Sequence, residues 1–235
     1  MLQHHTMTLK RRVDQWISNL GYCSRREVSA AISEGILCHR HQISIKAQDK
    51  VVAEDLLWNQ QTLEAPHGLF VMYHKPVGLV CSHSTSEGPS IYEKLPPQWL
   101  RRNPALTSIG RLDKETSGLL LLTDQGHLVH QYTSPNYSCE KQYEITVEQV
   151  FQEDLTARFQ SGTLLLRGES KPCSPAIYKQ TSAHTATLII TEGRYHQVRR
   201  MFAALGYHIT HLHRSRVGSY TLGSLTEGQY QPIHP

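Results

Sequence analysis

The sequence predicts an α+β fold, with a small N-terminal ααβ domain and a larger domain built on a mixed or antiparallel sheet with flanking helices. Three features lead there. Two short amphipathic helical patterns come first, a breaker-rich stretch poor in apolar residues follows, and strand-like runs interrupted by helical patterns fill the remainder. They divide the chain into a first domain over 8–59, a linker over 60–68 and a second domain over 69–235.

In chain order, Val13, Trp16, Ile17 and Leu20 recur at i, i+3, i+4 and i+7, lining one face of a helix that Gly21 ends. Ser24-Arg25-Arg26-Glu27 has capping-box spacing, so a second helix is expected from Arg25 to a stop at Gly35. Residues 36–45 and 50–57 read as short strands. Gln60 to Gly68 holds Pro66 and little to bury, hence the linker. Beyond it, 69–73, 119–123, 142–147, 174–179 and 185–191 carry strand-like runs. Val198, Met201, Phe202 and Leu205 repeat the helical spacing, giving a helix from about Tyr195 to Gly206, with Tyr195 and Arg199 on a shared face; 208–217 then returns as a strand.

At 235 residues and 39% hydrophobic, the chain can bury an ordinary core. No run approaches the roughly 18 to 20 apolar residues of a membrane span, and residues 1–12 lack a secretory signal's apolar block. The expectation is a cytoplasmic protein without a membrane partner, with His4-His5 in a disordered end. Five scattered cysteines read as reduced thiols. His39-x-His41, even with Cys38 beside it, and His211-x-His213 do not present a complete ligand set in sequence, so neither a metal nor another cofactor is expected. The formal net charge of +4 permits a polyanionic partner without requiring one. Its distribution says more. Gly193 to Thr226 carries five arginines, four histidines and no acidic residue.

Asp113 stands between Arg111 and Lys114, shortly before Leu119-Leu120-Leu121-Leu122. A loop carboxylate anchored to a buried strand suits a nucleophile or base, and a solvated loop aspartate fits the same residues. Arg199 reads equally as its counter-ion or as a phosphate-binding or surface arginine. Tyr143 reads as an aromatic plane for a base or as a half-buried strand tyrosine. Ser117 has no Gly-x-Ser-x-Gly setting, which argues against a hydrolase triad.

Gly110-Arg111-Leu112-Asp113 and Thr116-Ser117-Gly118-Leu119-Leu120-Leu121-Leu122-Thr123 resemble the signature of the pseudouridine synthases. Lys141-Gln142-Tyr143 and Glu192-Gly193-Arg194-Tyr195-His196-Gln197-Val198-Arg199-Arg200-Met201 resemble two further family motifs, in the family's order. Residues 8–58, with Arg12-Val13-Asp14 and Gly21-Tyr22-Cys23-Ser24-Arg25-Arg26-Glu27, are similar to the S4-like RNA-binding domain. Tyr195-His196 and Phe202-Ala203-Ala204 resemble the small-subunit branch, pseudouridine synthase A. Two segments depart from the pattern: His74-Lys75-Pro76 replaces Asn-Lys-Pro, and the S4-like hairpin has Arg40-His41-Gln42 in place of its Asn-Gly turn.

The resemblance implies isomerisation of a uridine in small-subunit (16S) ribosomal RNA, with Asp113 as the catalytic residue. It implies support from Arg199, through a bidentate fork, and from Tyr143, Lys141 and Arg111. It also implies RNA contacts from Lys10, Arg11, Arg12, Arg25 and Arg26 in the first domain. In the second, Arg194, His196, Arg200, Arg214 and Arg216 are the expected contacts. The alternatives are the same chemistry on large-subunit RNA and a non-catalytic RNA-binding assembly factor.

Overall fold

A computed structural model of the chain describes residues 9–84, 86–134 and 137–234. His4-His5 and residue 8, the expected start of the first domain, lie outside them. The chain forms two compact units. One runs to Leu69 and takes in Leu95–Leu106; the other comprises Phe70–Lys94 and the chain from Thr107 onward.

The smaller unit contains β1 (Arg11–Arg12), α1 (Val13–Asn19), α2 (Val28–Ser33), β2 (Leu37–His39), β3 (Lys50–Val51), β4 (Leu56–Trp58), β5 (Gln61–Thr62) and the short α3 (Pro97–Leu100). The heptad-like face of α1 is its core: Val13, Trp16, Ile17 and Leu20 are buried against Val28, Leu37, Leu56 and Leu63. Gly21, at φ +80°, turns the chain out of α1. The capping box forms by half. Ser24 N–H donates to the Glu27 carboxylate at 2.8 Å, but Arg25–Glu27 stay a turn and α2 begins at Val28, three residues later than its spacing suggests.

Residues 60–68 differ from a linker. Asn59 and Gln60, both at positive φ, make a two-residue turn between β4 and β5, and Leu63 is buried in the core. This is the unit's tight hairpin turn. The 95–106 segment belongs here through backbone-directed bonds: Gln98 to Leu20 O, Arg101 to Gly21 O, Arg102 to the carbonyls of Glu64 and Ala65, and Asn103 N–H to Asn19 O.

The larger unit contains β6 (Phe70–Lys75), β7 (Thr107–Ile109), β8 (Ser117–Thr123), α4 (Gly126–Thr133), β9 (Lys141–Val147), α5 (Thr156–Gln160), β10 (Ile177–Gln180), β11 (Thr185–Ile190), α6 (Gln197–Ala204), β12 (Ile209–Val217), β13 (Tyr220–Thr221) and β14 (Tyr230–Pro232). Its described strands form one mixed nine-stranded sheet in the order β10-β11-β9-β12-β8-β6-β14, with β13 on β12 and β7 on β8. Leu119, Leu120, Leu121 and Leu122 are all fully buried because β8 is covered on both faces. Phe70, Ile109 and Leu128 pack on one side. A separate aromatic cluster joins Phe159 of α5, Tyr178 of β10 and Phe202 of α6.

The parallel contact in this sheet is its seam. β8 and β12 meet only at His213 opposite Ser117 and Arg214 opposite Gly118. Gly118 is at φ +116°, and a Cβ there would lie 2.3 Å from the Arg214 carbonyl oxygen, so only glycine permits this approach.

Candidate active site

Asp113 lies in the turn joining β7 to β8, closed by Thr116 N–H donating to Asp113 O at 3.0 Å. The turn is held from beneath by Lys75 at the end of β6. This lysine has no exposed surface, and its ammonium donates to Thr116 O (2.8 Å), Pro76 O (2.9 Å) and Lys114 O (3.3 Å). Burial pushes its pKa below the usual lysine value, against the opposing pull of Cys81, Asp113 and Glu115. Leu112 N–H points to Cys81 Sγ at 3.5 Å. Asp113 therefore projects from a fixed backbone, with its side chain 30% exposed and open to a substrate.

Two side chains flank the carboxylate, one on each oxygen. His196 Nε2 is 3.4 Å from Oδ1, and Arg199 Nε is 3.9 Å from Oδ2. The expected bidentate fork does not form. The Arg199 terminal nitrogens instead donate to Glu115 O (2.8 Å) and Ile209 O (3.2 Å), so the guanidinium ties α6 to the Asp113 turn and leaves Nε facing the carboxylate. The shared helical face of Tyr195 and Arg199 also fails, because α6 starts at Gln197. Before it, His196 sits at φ +48° with its ring stacked on Tyr195 at 3.9 Å. That left-handed step swings the imidazole to Asp113. His196 thus moves from an expected RNA contact to a neighbour of the carboxylate.

Tyr143 is buried on β9, opposite Arg214 of β12. Directly opposite residues share a sheet face. Tyr143 therefore shares its sheet face with Arg214. Lys141 donates to Cys139 O at 3.0 Å and is pushed down in pKa by burial. Arg111 is exposed, with no hydrogen-bonded partner among the described residues.

The other arginines of the basic C-terminal stretch each have partners within the larger unit. Arg214 is buried and donates Nε to Leu119 O, holding the β8–β12 seam. Arg194 bonds Glu192 and the carbonyls of Lys171 and Pro172; Arg200 bonds Glu169 and Arg167 O. Arg216 bonds Glu140 and Gly218 O. The Arg194, Arg200 and Arg216 guanidiniums brace loops of their own unit while staying partly exposed. In the smaller unit Arg12 pairs with Asp14 through two bonds and Arg11 lies over the Trp16 ring at 4.9 Å. Lys10, Arg25 and Arg26 remain exposed.

Four further placements went beyond the sequence. Lys75 and Thr116 support the Asp113 turn; the His74-Lys75-Pro76 segment was the visible signal for Lys75, and Thr116 stood in the Thr116–Thr123 motif. Ser117 Oγ and His213 Nδ1 share a 2.9 Å hydrogen bond across the seam. His74 faces away from Asp113's supports: its Nδ1 contacts Leu225 O at 2.8 Å and its ring meets His213 edge-on. Asp55 lies 3.7 Å from both His39 and His41, a carboxylate that chain order did not reveal. Among the described residues, no three His, Cys, Asp or Glu side chains form a set suited to a metal ion.

The Asp113 turn, with His196 on one carboxylate oxygen and Arg199 on the other, leads directly into β8 of the mixed sheet. The family described as RNA pseudouridylate synthase matches residues 69–204, and the chain belongs to that family. It is 37% identical over 231 residues to the ribosomal small subunit pseudouridine synthase A of Haemophilus influenzae, spanning 94% of this chain and 95% of that protein. The protein of that name from Escherichia coli is 36% identical over 227 residues, spanning 94% and 96%. A solved structure described as a crystal structure of pseudouridylate synthase shares 36% identity over 95% of this chain and 96% of its own, with a TM-score of 0.66.

Proposed function

We propose that this chain isomerises one uridine of small-subunit (16S) ribosomal RNA, as naked RNA or in an assembling subunit, in the cytoplasm, with Asp113 as nucleophile or base. The observation that carries the reading is the setting of Asp113: a partly exposed carboxylate, one oxygen facing His196 and the other Arg199, on a turn fixed by buried Lys75. The small-subunit target rests on the names of the relatives in Haemophilus influenzae and Escherichia coli.

The reaction breaks the N1–C1′ bond, turns the uracil, and joins C5 to C1′; the proton lost from C5 is balanced by one gained at N1. Nothing is oxidised or reduced. Asp113 serves by attack on C1′, attack on C6, or removal of the ribose 2′ proton. Arg199 sets a permanent positive charge beside it. Tyr143 offers a plane and a hydroxyl to the uracil once the nucleotide has left its stack. Arg111, on the same turn as Asp113, is free for the flanking phosphate. The smaller unit, read as an S4-like RNA-binding domain, supplies a second anchor through Lys10, Arg25 and Arg26, which raises the effective concentration of the catalytic unit on its RNA.

Asp113→Asn is the direct test. It is expected to abolish tritium release from C5-labelled uridine in RNA while RNA binding persists; retained release would remove Asp113 from the reaction. Pseudouridine mapping by carbodiimide and primer extension in cells lacking the protein tests the target. An unchanged small-subunit profile with a lost large-subunit site would reassign it.

A further inference from the structure

The smaller unit contains a cavity of about 460 Å³ lined by residues from three of its segments: Tyr22, the 58–64 hairpin, and Gln98 with Arg101. From its geometry we infer that this cavity is a binding site for an unstacked base of single-stranded RNA, with Arg101 placed for the adjoining phosphate. The inference rests on the RNA-binding reading of this chain and assigns part of it to a defined site.

The lining has the two kinds of surface that a base presents to a protein. Tyr22 and Trp58, both half-buried, lie with ring centroids 5.0 Å apart and planes tilted by 38°, an aromatic wall at the cavity. Every base has a π-face, so such a wall takes any of them. Facing it are side chains that match base edges. Asn59 and Gln61 are exposed, and their amides have no hydrogen-bonded partner among the described residues. Gln98 donates its Nε2 to Leu20 O, which orients its carbonyl oxygen as an acceptor.

The wall is rigid, which limits the ordering that binding requires. Tyr22 hydroxyl accepts Glu64 N–H at 2.8 Å, and the Glu64 carboxylate in turn accepts Trp99 Nε1–H at 2.9 Å. Arg101 is fixed by a single bond, Nε–H to Gly21 O at 3.0 Å, so both terminal nitrogens are left for a ligand. The Gly21–Glu27 turn that brings Tyr22 here also carries exposed Arg25 and Arg26. The lining carries one cation, Arg101, and one carboxylate, Glu64, which is already engaged by Trp99 Nε1–H. An aromatic and amide-lined cavity with a free guanidinium end favours a nucleotide over a peptide. A paired base hides its edge and its face, so the site selects single strands.

The full-length protein should be titrated with a fluorescently labelled oligoadenylate, which has no uridine to occupy the catalytic site, and with the same strand paired to oligodeoxythymidylate, which has none either. Arg101→Ala and the double variant Asn59→Ala/Gln61→Ala alter exposed side chains, and Trp58→Ala removes the stacking plane, with Trp58→Phe as the conservative control. The single strand is expected to bind Trp58→Ala about tenfold more weakly, with Trp58→Phe largely restored, and Arg101→Ala is expected to flatten the salt dependence. Duplex binding is expected to be unchanged throughout. Ultraviolet crosslinking of the oligoadenylate should map to Tyr22 or Trp58. Unchanged single-strand affinity in Arg101→Ala and Asn59→Ala/Gln61→Ala, together with crosslinks elsewhere, would overturn the site. Tritium release from uridine RNA, measured in parallel on the wild type, reports the isomerase reading separately: its loss would sink that reading whatever the oligoadenylate does.

Discussion

Lys75 shows how a single buried charge positions the candidate site. Its ammonium has three carbonyl acceptors and no exposed surface, and two of those carbonyls belong to Lys114 and Thr116, within the turn that Asp113 opens. Lys75→Met keeps the volume but leaves these carbonyls without their donor, at a cost on the order of 2–4 kcal/mol. The urea midpoint is expected to fall and kcat to fall with it; an unchanged midpoint would show that water replaces the ammonium freely. His213 gives the pH counterpart. Burial pushes its pKa below the ordinary 6.5, His74 pushes the same way, and Glu144 and Glu227 oppose. The unfolded chain then binds the proton first, so stability is full above pH 6.5 and falls as pH drops through the folded value. Thermal unfolding from about pH 8 to pH 5 should show this loss, and His213→Gln should reduce it; an identical slope in the variant would clear His213. At this scale, the nearness of Asp113 and Arg199 was legible because contiguous motifs mark both. The carbonyl partners of Arg194 and Arg200 were not, since Lys171, Pro172 and Arg167 lie more than 20 residues away in sequence and a carbonyl leaves no trace in residue type.

Among elements, β8 and β12 are joined by only two residue pairs. Their contact rests on these, the Arg214 Nε bond to Leu119 O, and the Ser117–His213 bond. Gly118→Ala would set a Cβ 2.3 Å from Arg214 O at a φ that L side chains rarely adopt, so the strands must part or β8 must shift. The expected destabilisation is on the order of 3 kcal/mol or more, read as a drop in Tm or as insoluble protein. A soluble variant with wild-type Tm would mean that the seam is looser than its geometry. The leucine run made β8 readable, and the helical spacing gave α1 and α6. The start of α2 was not readable, because Ser24 and Glu27 close a turn whether or not a helix follows at once. Nor was the role of 60–68, where one buried leucine among polar neighbours gives no periodicity to detect.

For the whole molecule, the division into two units has an optical consequence. The three tryptophans, Trp16, Trp58 and Trp99, all lie in the smaller unit, whereas the nine-stranded sheet lies in the larger. Tryptophan fluorescence therefore follows one core and far-ultraviolet circular dichroism mainly the other. Each core is closed within its own unit: Trp16 and Leu56 pack with Leu63, and Phe70 with Leu121 and Leu128. Separate cores need not melt together. In urea the two probes are expected to give transitions with different midpoints, and Gly118→Ala should move the dichroism transition while leaving the fluorescence one in place. Lys75→Met should act on the same transition as Gly118→Ala, because both lie in the larger unit. Coincident transitions in the wild type, shifted together by either variant, would instead make the two units one cooperative body.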